Sequence, residues 1–304
     1  MEQFNFIYNI LNQKGIGRVK ANKIIQNFKD ELSINLLKRE EIVKKLHSFF
    51  LQEQIEEIIS NEKPVKLKID NAPEPFFINK FHEDFPEDFH DLGSHCPPII
   101  SCIGNKELLK KQKVGFCGSR KASPKGIDVA KDIAQQVTQN DIVVVSGYAS
   151  GIDQQTHYWA LKEEGSTIIV LPEGIENFKI KKQVKDVWNW ERVLVISEFQ
   201  PNAIWSVSRA MERNTTIISL SDIMFLIEAK RKGGSIDAGY KTLKMNKPLF
   251  APIYNGMPEE ASGNEHLLTK GAHPLRKKRE TNRANLDKMF ALLDSIGKTK
   301  KTLF

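Results

Sequence analysis

The chain has 304 residues, 40% hydrophobic and 27% charged, which suits a soluble globular protein with room for two domains. No apolar run approaches the length of a membrane span, and the opening MEQFNFIYNI lacks a basic-then-apolar signal pattern, so a cytoplasmic protein is expected. The net charge of +7 is concentrated in residues 275–304, where nine Lys or Arg face three acids, so any polyanion site on the nearly neutral remainder is a local patch.

Residues 1–63 read as a small helical domain, with Leu36, Leu37, Val43 and Leu46, then Ile55, Ile58 and Ile59, at roughly helical spacing. Within it, LNQKGIGRVKANKIIQNF has the shape of a helix-hairpin-helix turning at Gly15-Ile16-Gly17. Two readings stand: a backbone turn facing a DNA phosphate, or a plain helical hairpin packed on its neighbour. Residues 64–98, rich in Pro, acids and aromatics, read as a linker and lead-in. Here His82, Asp84, His90, His95 and Cys96 match no closed zinc spacing, and no metal is expected. Three cysteines (Cys96, Cys102, Cys117) form no CxxC pair, and an odd number argues against a disulfide framework.

From 99 to 273 short apolar runs alternate with helical stretches. The runs are 99–104, 114–117, 142–147, 167–172, 193–197, 223–229 and 248–253; helices are expected at 124–139, 153–164, 180–190, 206–220 and 235–246. Apolar strands alternating with amphipathic helices predict an α/β, doubly wound, mostly parallel sheet covered on both faces. Residues 274–304 are expected as a basic tail with one short amphipathic stretch (Leu286, Met289, Phe290, Leu293).

In such sheets ligands sit beyond the carboxyl ends of the strands, near helix N-termini. GSRKAS follows the 114–117 run, with Ser123-Pro124 as a helix cap; SGYASGIDQQTH follows 142–147, and EAKRKGGSIDAG closes the 223–229 run. Gly118 and Gly147 let amides approach an anion; Ser119, Ser146 and Ser235 supply hydroxyls; Arg120, Lys121, Lys125, Arg213, Lys230, Arg231 and Lys232 supply charge. There is no GxGxxG, no GxxxxGK[ST] and no GxSxG, so neither a dinucleotide cofactor nor a serine nucleophile is expected. His157 is read as structural, because no nucleophile is paired with it.

These segments, with GNEHLLTKGA (263–272), resemble in order and spacing the DNA-processing protein A (DprA/Smf) family over roughly residues 1–273. The resemblance implies an extended Rossmann-like fold preceded by a small helix-hairpin-helix or SAM-like helical domain. It implies a non-enzymatic, cofactor-free homodimer that binds single-stranded DNA and loads a RecA-type recombinase during natural transformation. Carried over, the pocket is lined by Gly118, Ser119, Arg120, Lys125, Ser146, Gly147, Gly151 and Asp153, and closed by Arg213, Asn214, Gly233, Gly234 and Ser235. Tyr148, Phe178 and Trp205 are candidate stacking surfaces for bases.

The sequence departs from the family in three places. Ser150 stands where the family often has Arg, the segment after VLPEGIENF lacks a Tyr-Pro pair, and the expected winged-helix segment does not follow. The alternative from the same superfamily is a nucleotide sensor or phosphoribohydrolase-like protein, in defence. KGGSIDAGYKT has that class's two glycines but lacks its Thr and Glu. A third reading is an adaptor that meets protein partners through the helical N-terminus and tail.

Overall fold

The computed structural model describes residues 3–33, 38–60, 69, 71–256 and 258–302. The expected core positions Leu36 and Leu37 lie outside the described residues. Five short helices come first: α1 (Gln3–Asn12), α2 (Arg18–Gln26), α3 (Lys29–Ser33), α4 (Arg39–Leu46) and α5 (Gln52–Ile59). Their apolar faces close on one core containing Phe6, Ile10, Ile24, Ile25, Phe28, Leu46, Ile55 and Ile58, which also takes in Ile99 of the sheet.

The strands are β1 (Phe76–Asn79), β2 (Ile99–Gly104), β3 (Lys113–Cys117), β4 (Val143–Ser146), β5 (Thr167–Val170), β6 (Val193–Ser197), β7 (Ile223–Leu226), β8 (Leu249–Pro252) and β9 (His273–Leu275). They form a nine-stranded sheet in the order β1-β2-β6-β5-β4-β3-β7-β8-β9. Strands from β6 to β9 in that order are parallel, while β2 pairs antiparallel with both β1 and β6. The helices between them are α6 (Pro124–Thr138), α7 (Ile152–Lys162), α8 (Val207–Leu220), α9 (Gly234–Lys244) and α10 (Asn264–Thr269), followed by α11 (Asp287–Thr302).

Side-chain alternation splits each strand between two cores: Val143 and Val145 of β4 join the face under α8 and α9, whereas Val144 joins the face under α6. Burial on both faces explains why these strands are apolar throughout. This is the expected Rossmann-like, doubly wound architecture. The chain runs outward from β3 to β6 and then returns to lay β7 on the other side of β3. The carboxyl ends of β3 and β7 therefore flank the switch point where such folds open a crevice.

Three expectations need correction. The segment read as a linker contributes β1, whose Phe76–Asn79 pair residue by residue with Cys102–Ile99 of β2. The stretch read as a tail is folded: Leu286, Met289 and Leu293 are buried in the core beneath α6, so α11 is part of the main body. Residues 180–190 form 3-10 turns at Lys182–Val187 and Trp190–Arg192 instead of a helix. There Trp188 and Trp190 pack edge-on to each other and against Phe178, with extended backbone at Trp188 and Asn189 between the turns.

Candidate functional site

Three loops at the switch point are tied together before any ligand is considered. Ser123 caps α6 by accepting from Gly126 N at 3.1 Å, and its own N–H and hydroxyl donate to the Glu228 carboxylate just beyond β7. Burial raises the Glu228 carboxyl above its ordinary value, and these two hydrogen bonds pull it back. Ile152 N donates to Ser119 O (3.2 Å), joining the loops after β3 and β4. Ser235 at the start of α9 donates to Gly118 O at 2.8 Å, and Asn214 Nδ2 approaches Gly234 O at 3.4 Å.

The glycines are there for room. A side-chain carbon on Gly118 would fall 2.5 Å from Ile152, and one on Gly147 would fall 1.4 Å from Arg213 Nη1. Gly151 sits at φ +81°, where a side-chain carbon would fall 2.2 Å from Ser119 O, and Gly233 opens α9 at φ +119°, both conformations that L side chains rarely adopt.

Between these loops and α8 lies a cleft of about 270 Å³ lined by Gly118, Arg120, Asp153, Arg213, Asn214, Gly234 and Ser235, with Cys117, Ala149, Trp205, Val207, Ala210 and Met211. At its floor the Arg213 side chain is 5% exposed, and its Nε and Nη1 have no hydrogen-bond partner among the described residues. The Asp153 carboxylate stands 3.7 Å from Nη1. Burial pushes the Asp153 carboxyl upward, opposed chiefly by the Arg213 charge. A guanidinium buried with unmet donors is costly unless an anion completes it, and Asp153 meets that need only in part.

At the mouth, Arg120 is exposed and lies 5.8 Å over the Trp205 ring. Trp205 (46% exposed) stands between Ile204 (73%) and Val207 (67%), an apolar ledge at the start of α8. The cleft thus joins fixed amides, two guanidinium groups and a flat aromatic surface.

The remaining expected residues fall around it. Ser146 is fully buried behind the floor, donating to Phe116 O at 2.8 Å; Gly147 and Gly151 shape the walls, and Ser119 accepts from Lys121 N at 3.1 Å. Lys125 is exposed and outside the cleft lining, its Nζ 3.5 Å from Asn255 O. Lys230 pairs with Glu259 at 2.8 Å, while Arg231 and Lys232 are exposed.

Two stacking candidates are not available. Tyr148 and Phe178 are buried against each other with centroids 5.6 Å apart, which leaves Trp205. His157 is fully buried, its Nε2 donating to Gly147 O at 2.5 Å and its Nδ1 2.6 Å from Thr167 Oγ1. Burial lowers its pKa to about 4, so it is a neutral support for the Gly147 loop.

Sequence reading overlooked Lys181. Its Nζ donates to Tyr148 O and lies 4.3 Å over the Tyr148 ring. Burial holds its amine below the ordinary value, Asp153 and Glu173 oppose that, and the neighbouring Arg120 and Arg213 charges add to it. It extends the positive field of the cleft from a segment whose pattern carries no such signal.

The helical hairpin meets the main body through Arg18, which bridges Glu198 and Glu212 at 2.8 Å each and donates to His95 O. Asn22 Nδ2 adds Cys96 O at 2.7 Å. Through these contacts the hairpin packs on the main body. In the lead-in, Asp84 is engaged by Lys106 and Lys110, and Cys96 is buried with its thiol pushed up to about 11.

The model of the DNA recombination-mediator protein A family matches residues 76–284. The chain belongs to this family. It is 30% identical over 190 residues to the DNA processing protein DprA of Streptococcus pneumoniae, covering 62% of this chain and 66% of that one. The corresponding figures for DprA of Bacillus subtilis are 28% over 179 residues, 58% and 60%. The chain therefore spans somewhat under two thirds of either relative. The crystal structure of S. pneumoniae DprA superposes with a TM-score of 0.70 at 24% identity, covering 90% of this chain and 95% of that one. A structure of DNA processing protein A from Helicobacter pylori, described for its single-stranded DNA binding mode, gives 0.60 at 23% identity, covering 75% and 97%. These likenesses agree with the DprA-type fold. Among the described residues no helix is long and apolar enough to cross a membrane.

Proposed function

We propose that the cleft binds the backbone of single-stranded DNA, with one phosphate completing the buried Arg213 guanidinium and a base laid on Trp205. The observation that carries this reading is Arg213 itself, a buried residue that lines the cleft and whose Nε and Nη1 have no hydrogen-bond partner among the described residues. Gly118, Asn214, Gly234 and Ser235 line the cleft beside Arg213, and Arg120 adds charge at the mouth. The aromatic ledge favours an unpaired strand, because bases inside a duplex are not free to stack on a side chain. No residue in the cleft is given a catalytic role. Family membership supports a cytoplasmic homodimer that processes incoming DNA in transformation and passes the strand to a RecA-type recombinase.

Equilibrium binding of labelled oligothymidylate at several salt concentrations tests the reading. Charge reversal at Arg120 should weaken binding and flatten the salt dependence. Unchanged affinity and slope would remove the cleft assignment. The cleft volume of about 270 Å³ also suits a single nucleotide, which keeps the nucleotide-binding alternative in view. Release of free base from nucleoside monophosphates would establish that alternative.

A further inference from the structure

The basic segment after β9 starts from the edge of the sheet that carries the cleft. β9 runs parallel to β8, so the chain leaves it at the carboxyl end, where the loops after β3 and β7 also emerge. Residues 276–285 then fold back as a tight arm. Lys277 bridges Ala284, Lys278 N donates to Arg283 O at 2.8 Å, and Asn285 N donates to Arg276 O at 2.8 Å. Asn282 takes a left-handed conformation at φ +56° to turn the chain.

The arm is anchored to the second half of α6. Arg283 Nε meets Asp132 Oδ1 at 2.7 Å, Ala284 N donates to Asp132 Oδ2, and Gln136 Nε2 donates to Ala284 O at 3.1 Å. The chain continues into the buried Leu286 and Met289. Ordering is therefore already in place before any ligand arrives.

The arm carries Arg276, Lys277, Lys278, Arg279 and Arg283 against Glu280. Lys278 pairs with Asp287, and Arg283 with Asp132. Arg276, Lys277 and Arg279 are exposed, and no salt bridge to any of them is found among the described residues. Along the edge β3-β7-β8-β9 the exposed cations run from Arg120 and Lys121 through Arg231 and Lys232 to these three. Three strand spacings of ~4.8 Å put β9 about 14 Å from β3, a distance a single strand leaving the cleft crosses in a few nucleotides.

We infer that the 276–283 arm is a second backbone-binding surface, which holds the phosphates of a single strand whose neighbouring nucleotide occupies the cleft. The inference rests on the single-stranded DNA reading of the cleft and extends its footprint along the sheet edge. The counter-charge, the shared edge and the rigid mounting select a flexible polyanion continuous with the cleft ligand over an acidic protein docking on its own.

The test compares four full-length proteins for binding to a long labelled oligothymidylate across a salt series: the wild type, Arg120→Glu, the arm variant Arg276→Gln with Lys277→Gln and Arg279→Gln, and the combination. Arg283 and Lys278 are left intact so that the arm stays anchored, and thermal melting confirms the fold. The arm variant should bind ~10- to 100-fold more weakly at ~0.1 M salt, with the salt slope smaller by about 2. Its loss should add to that of Arg120→Glu. An arm variant that binds like the wild type while Arg120→Glu is weakened overturns the inference and leaves the cleft reading standing. Loss in the arm variant alone, with Arg120→Glu unaffected, overturns the continuous footprint. Displacement of the DNA by polyglutamate as readily as by unlabelled DNA overturns the choice of polyanion. A wild type that binds no DNA removes the cleft reading and the inference together.

Discussion

The Arg213 guanidinium lies so close to the backbone of Gly147 that a side-chain carbon there would fall 1.4 Å from Nη1. A residue at the end of β4 thus decides whether a cation on α8 can occupy the cleft floor. Gly147→Ala should displace Arg213, costing about 1–3 kcal/mol of stability through overpacking and weakening oligothymidylate binding in parallel. Denaturant unfolding and anisotropy titration on one preparation measure both. Normal affinity in the variant would show that Arg213 need not stand where it does.

Arg120 and Trp205 should separate by their salt dependence. Trp205→Ala removes a stacking surface, so affinity should fall by about 1–3 kcal/mol with the salt slope unchanged. Arg120→Gln should reduce the slope by about 0.7. The two side chains touch through a cation–π contact of 5.8 Å, and a double-mutant cycle in the free protein should show coupling of about 0.5–1 kcal/mol. Identical slopes for both single variants would contradict this division of labour.

His157 predicts an acid limit to stability. Burial lowers its pKa to about 4 from the ordinary 6.5. The unfolded chain therefore takes up the proton first, and stability present above pH 6.5 is lost as pH falls toward 4. The span corresponds to roughly 3 kcal/mol. His157→Gln, which keeps a donor for Gly147 O, should flatten this part of the urea-unfolding profile. The same slope in both proteins would assign the acid sensitivity to other groups.

Arg18 should prove to be a docking residue. Burial raises the Glu198 carboxyl, and the Arg18 charge is the main influence lowering it. Arg18→Ala leaves that carboxylate without its cation and should cost about 3 kcal/mol near neutral pH. Because a raised carboxyl pKa favours folding in the protonated form, the deficit should narrow as pH falls toward the carboxylate range. A deficit independent of pH would show that lost packing, not the stranded charge, is responsible.

The loops of the site were readable because their needs are local. A glycine after an apolar run, a Ser-Pro helix start and a second glycine pair before α9 each announce a turn at a strand end. Arg213 was nameable as a charge, but its burial without partners depends on how α8 packs against Gly147, which no local pattern records. Tyr148 and Phe178 looked like free rings and are core, since their fate is set by the Trp188 and Trp190 rings beyond them. β1 escaped notice because it is a short edge strand set among Pro and acidic residues, recognisable only by its pairing with β2. The Gly15–Gly17 hairpin fitted two roles because the acids that receive Arg18, Glu198 and Glu212, lie far along the chain.

The central claim is tested most directly by a crystal structure with a short oligothymidylate bound. A phosphate should lie within hydrogen-bond distance of Arg213 and Asn214, against the Gly118–Ser119 loop, with a base stacked on Trp205. An oligonucleotide bound elsewhere, with Arg213 still unpartnered beside Asp153, would contradict the account.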